Sequence, residues 1–96
     1  MNYTDSYEIR RSNVELLIND VTYTIDYTIK SPIDGVAEEV NASFLRIENG
    51  VSSRIGWGNY SQGVSNVRFD SRFTIPFVAQ KAMCDQFMND LDNILG

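Results

Sequence analysis

The stretch Val21-Thr-Tyr-Thr-Ile-Asp-Tyr-Thr-Ile-Lys30 constrains the fold more than any other part of the chain. Every odd position is apolar or aromatic and every even position is Thr, Asp or Lys, the period-two pattern of a half-buried strand. Immediately before it, Asn19-Asp20 supplies two residues that tolerate left-handed backbone, as a two-residue hairpin turn requires. A turn there sets Ile18 opposite Val21, Leu16 opposite Tyr23 and Val14 opposite Ile25, all on the apolar face. A one-residue slip would move that whole set to the other face, so turn and burial pattern specify the same register.

Asn49-Gly50 is a second hairpin signal. The register expected from it pairs Glu48 with Val51, Phe44 with Ile55 and Ala42 with Trp57, which puts Trp57 on the apolar face. Leu17, Leu45 and Ile47 then fall on the opposite face, either beside a bulge that turns one of them inward or against a second copy of the chain. Between the hairpins, Ser31-Pro-Ile-Asp-Gly-Val36 reads as a turn, because Pro donates nothing to a ladder and Asp-Gly favours reversal. Gly58-Asn-Tyr-Ser-Gln-Gly63 reads as a loop. A strand follows in which Val67 and Phe69 point inward, Arg68 and Asp70 outward.

Thr74 is a usable helix N-cap and Pro76 suits a first turn. At 100° per residue, Phe77, Met83, Cys84, Phe87, Met88, Leu91, Ile94 and Leu95 fall within an arc of about 140°. Ala79 and Ala82 fall on the polar side. The expected elements are strands at 13–18, 21–30, 39–48, 51–58 and 64–73 and a helix at 75–95, with Tyr7 and Ile9 either extending the first strand or belonging to an arm. The fold class is α+β: a single domain built as an antiparallel five-stranded meander, with one amphipathic C-terminal helix on its apolar face.

Charge and residue usage narrow the chemistry. Thirteen acids against eight bases give a net charge of −5, which argues against nucleic acid or an anionic membrane as partner. The absence of histidine removes imidazole catalysis, and one cysteine forms neither an internal disulfide nor a multi-cysteine metal site. No metal or cofactor is expected. Asn-x-Ser/Thr triplets begin at Asn2, Asn41 and Asn59, but residues 1–15 lack the apolar core of a signal peptide, so the expected location is cytoplasmic.

Two regions are candidate contact surfaces. Gly58, Asn59 and Tyr60 follow Gly56-Trp57 in a glycine- and aromatic-rich stretch, where backbone and ligand can approach closely. Asp85, Asp90 and Asp92 crowd the end of the helix, where carboxylates oppose the macrodipole and stability alone would favour Lys or Arg. Cys84, with no histidine to activate it, reads as a small core residue. The expectation is a non-enzymatic protein-binding module, a small acidic inhibitor or adaptor that occupies a partner protein's surface. Its size and charge match those of compact virus-encoded proteins that block host defence proteins, which would place it in host cytoplasm. The alternatives are a small-ligand or enzymatic domain using the Gly56–Tyr60 stretch, and a structural subunit of an assembly. A homodimer through Leu17, Leu45 and Ile47 or through a strand edge is also expected.

Overall fold

The computed structural model describes residues 7–33 and 35–96; the Asn2 triplet and Asp34 of the expected Ser31–Val36 turn lie outside them. Over these residues the chain forms strands β1 (Tyr7–Ile18), β2 (Val21–Pro32), β3 (Glu39–Glu48), β4 (Val51–Ser61) and β5 (Val64–Phe69), then helix α1 (Phe77–Leu95). The strands make one open antiparallel sheet in the order β1-β2-β3-β4-β5, so the α+β meander with a single C-terminal helix is the observed architecture. β1 extends back to Tyr7, and β4 runs through residues 59–61, where a loop was expected.

Three turns with left-handed backbone close the hairpins. Asn19 and Asp20 have φ of 50° and 65°, Asn49 and Gly50 of 51° and 76°, Gln62 and Gly63 of 50° and 83°. These are the conformations that match the twist of paired strands. The first hairpin has the expected register: Ile18 faces Val21, Leu16 faces Tyr23 and Val14 faces Ile25. Tyr23, Ile25, Tyr27 and Ile29 are all buried on the helix side.

The second hairpin departs from expectation halfway along. Glu48 faces Val51 and Leu45 faces Arg54, but Phe44 then faces Gly56, and Ala42 faces Gly58. Ile55 is an extra residue on β4, a β-bulge, and its side chain is fully buried. The bulge shifts every later residue of β4 by one position. Trp57 therefore pairs with Ser43 and lies on the open face, 36% exposed, rather than in the core. The glycines permit this arrangement. A Cβ on Gly56 would stand 2.6 Å from the carbonyl oxygen of Arg68, closer than any side chain tolerates. The carbonyl of Ile55 is satisfied by the backbone N–H of Asp70, at 2.8 Å.

Helix α1 buries Ala79, Met83, Phe87 and Leu91, a stripe that repeats every four residues. Phe77 (87% exposed) and Met88 (49%) lie outside it, and Ala79 lies inside, contrary to the expected arc. The stripe's centre explains this: Phe77 projects about 100° from it, Met88 about 120° and Ala79 only about 60°. Pro76 occupies the N-cap position with φ −56° and ψ 141°, and no side chain caps the helix, so Thr74 has no such role. Phe87 lies over Gly58 and meets Phe44 edge-on (centroids 6.1 Å apart) and Tyr27 in a stack (6.3 Å). Arg46 holds the segment before the helix: its guanidinium donates to the Thr74 carbonyl at 3.0 Å and lies over the Phe73 ring.

Candidate functional site: the open face of the sheet

Register fixes which side chains share the face that the helix leaves uncovered. Leu17, Thr22, Ile47 and Ser52 form one row across β1 to β4, and Glu15, Thr24, Leu45 and Arg54 form the next. Below these run Asn13, Asp26, Ser43, Trp57 and Arg68, then Arg11, Thr28, Asn41, Asn59 and Asn66. The three residues expected on this face are there: Leu17 is 72% exposed, while Leu45 and Ile47 are half-buried among threonines.

Trp57 is the addition that the bulge makes. The guanidinium of Arg54 sits 5.2 Å from its ring, within cation–π range. Beside it, Asn59 donates through Nδ2 to Oδ1 of Asn41 at 2.8 Å, and Asn41 donates to Oε1 of Glu39 at 3.2 Å. Two asparagines of the sequence triplets are thus cross-strand neighbours in one polar ladder.

The Gly58–Tyr60 stretch does not act as a unit, because alternate residues of a strand point to opposite faces. Gly58 lies beneath Phe87, Asn59 is on the open face, and Tyr60 returns to the helix side. Tyr60 also lines a cleft of about 410 Å³ at the end of the sheet, with Lys30, Glu38, Glu39 and Gln62.

The three aspartates of the helix are likewise separated. Asp90 projects only about 40° from the centre of the buried stripe, and it accepts from the Tyr27 hydroxyl at 2.5 Å and from Gln86 Nε2 at 2.8 Å. Burial, reinforced by that hydrogen bond and the carboxylate's charge, raises the Tyr27 pKa far above its usual value. Asp90 thus anchors the helix to β2. Asp85 and Asp92, seven residues apart, share the exposed back of the helix, where Asp85 pairs with Lys81 at 2.7 Å. Cys84 is half-buried, and burial raises its thiol pKa, with Asp85 adding to the effect. An uncharged, poorly nucleophilic thiol is the consequence.

Among the described residues, no group of three His, Cys, Asp or Glu side chains is placed to hold a metal ion, and no helix is long and apolar enough to cross a membrane. No protein-family model, curated protein or solved structure matches the chain.

The outward position of Trp57 is the structural feature of this face that alternation misses. Its signal was present in the sequence: Gly56 between Ile55 and Trp57 marks a place where a strand can bulge.

Proposed function

We propose that this chain is a non-enzymatic protein-binding module, a small inhibitor or adaptor that occupies a partner's surface with the open face of its sheet. The observation that carries the reading is Trp57, displaced from the core by the bulge and held 36% exposed under Arg54. Trp and Arg are the residue types that dominate interface energetics when a partner buries them. Leu45 and Ile47 flank them with apolar surface, and the asparagine ladder offers donors and acceptors at the rim. The face carries Arg11, Lys30, Arg54 and Arg68 against Glu15, Asp26 and Glu39, so it does not share the acidity of the whole chain. The back of the helix retains only Asp85 and Asp92 of the expected acidic surface, and Asp85 is already paired.

The test is affinity capture from the organism that makes the protein, quantified by mass spectrometry with three baits. The wild type and the Asp85→Asn/Asp92→Asn variant should retain the same partner, and Trp57→Glu should lose it while keeping a native melting transition. Loss with the Asn pair and retention by Trp57→Glu would move the contact to the helix. The cleft at Tyr60 supports a second reading, a small-ligand site. It requires Tyr60→Ala, and not Trp57→Glu, to abolish activity.

A further inference from the structure

The sheet has two edges, and they are unequal. β5 is six residues long, whereas β1 is twelve residues long and contains neither Pro nor Lys nor a bulge; of the devices that blunt an edge it has charged side chains, Glu8 and Arg10 on the helix side and Arg11 and Glu15 on the open face. On the helix side, Glu8, Arg10 and Ser12 are exposed, so the helix does not cover this part of the edge. The two-residue turn makes Ile18 and Val21 the hydrogen-bonded closing pair. Counting back, even-numbered residues of β1 direct their backbone groups to β2, and odd-numbered residues direct theirs outward.

We infer that β1 pairs antiparallel with β1 of a second copy about a two-fold axis through Asn13, joining two sheets into one of ten strands. Charge complementarity on the open face selects both the occupant and the register; on the helix side the axis at Asn13 sets Arg10 opposite Leu16 and Glu8 opposite Ile18. A two-fold axis normal to the sheet places one residue opposite its own counterpart, so each register is defined by that residue. With the axis at Asn13, Arg11 of each copy faces Glu15 of the other, and Ile9 faces Leu17. All four pairs lie on the open face, and Asn13 meets its counterpart at the centre. An axis at Arg11 sets arginines against each other, and one at Glu15 sets glutamates against each other. An axis at Ser12 puts Ile9 against Glu15, and one at Val14 leaves Arg11 against Leu17. Within one copy, Arg11 and Glu15 face Thr28 and Thr24 and form no ion pair among the described residues. Ile9 and Leu17 are 56% and 72% exposed, so the pairing also covers apolar surface that one copy leaves in water. The outward N–H and C=O groups of residues 9, 11, 13, 15 and 17 become satisfied across the axis. Trp57, three strands away on β4, remains free for a different partner.

Sedimentation equilibrium of the full chain tests this with a charge-swap series. The wild type should associate to twice 10.9 kDa, with a dissociation constant of roughly micromolar order, as suits an edge contact smaller than a standard interface. Arg11→Glu and Glu15→Arg should each weaken the dimer at least tenfold, because two like-charge pairs replace two attractive ones. The double swap Arg11→Glu/Glu15→Arg should restore it. Asn13→Pro, which removes the central outward N–H without touching the pairing to β2, should give a folded monomer. A wild-type monomer at high micromolar concentration overturns the inference. So does a dimer indifferent to the single swaps, and dissociation by Trp57→Glu would place the contact on the open face instead.

Discussion

Gly58→Ala probes how the helix is seated on the sheet. A Cβ built at Gly58 stands 3.0 Å from Cζ of Phe87 and 3.1 Å from both Cε atoms, whereas carbon atoms sit comfortably at about 3.5–4.0 Å. The ring would have to retreat by roughly half an ångström. It has nowhere to go: Phe87 is fully buried, edge-on to Phe44 and stacked on Tyr27. Overpacking of this kind costs about 1–3 kcal/mol, and the loss of glycine's freedom in the unfolded chain returns about 0.4–1 kcal/mol. The net is a destabilisation of up to about 2.5 kcal/mol, centred on about 1 kcal/mol. For a domain of this size, each kcal/mol lowers Tm by roughly 4–8 °C. Urea titration and calorimetry of Gly58→Ala, Phe87→Leu and the double variant complete a cycle. In the Phe87→Leu background the alanine should cost little or nothing, leaving a coupling of about 1 kcal/mol or more. An alanine that is neutral or stabilising with Phe87 intact, or equally costly in both backgrounds, would refute this seating of the helix.

Three further outcomes are expected. Ile55→Ala should lose about 2–5 kcal/mol, as for any fully buried aliphatic truncation, whereas Trp57→Glu should fold cooperatively with Arg54 and Arg68 beside it; unfolding of Trp57→Glu in thermal melts would mean that no bulge displaces the tryptophan. Asp70 is hydrogen-bonded and ion-paired to Arg72 at 2.6 Å, which lowers its pKa to about 2. Because the folded pKa lies below the unfolded value of roughly 4, the pair's contribution is complete above pH 4 and disappears as pH falls toward 2. The Tm difference between wild type and Asp70→Asn should close over that window, and a difference unchanged from pH 6 to pH 2 would contradict the pairing.

The first hairpin and the meander could be read from the chain because local and global signals agree there: turn residues, alternation and burial all specify one register. The open-face positions of Leu17, Leu45 and Ile47 followed from that agreement. β4 was harder. Ile55 and Trp57 are both apolar and two apart, so they mimic uninterrupted alternation, and the inserted position is concealed by Gly56, which has no side chain to betray its direction. The third turn was missed because Gln62 takes the left-handed conformation usually left to Asn, Asp or Gly. On the helix, a projection of hydrophobicity overweighted Phe77 and Met88. The real stripe runs through Ala79, whose small size allows close approach, and past Asp90, whose carboxylate is bound by Tyr27. That contact joins residues 63 apart in sequence, and no local pattern announces it.

The outward position of Trp57 is the claim on which the functional reading rests, and it has a direct optical test, since Trp57 is the chain's single tryptophan. Acrylamide quenching of its fluorescence in the native protein measures how open the indole is to solvent. The native indole should emit at long wavelength and be quenched at a substantial fraction of the rate found for the denatured chain, with Arg54→Ala increasing the quenching by removing the covering guanidinium. A blue-shifted emission that acrylamide reaches only after unfolding would place Trp57 in the core and contradict the account.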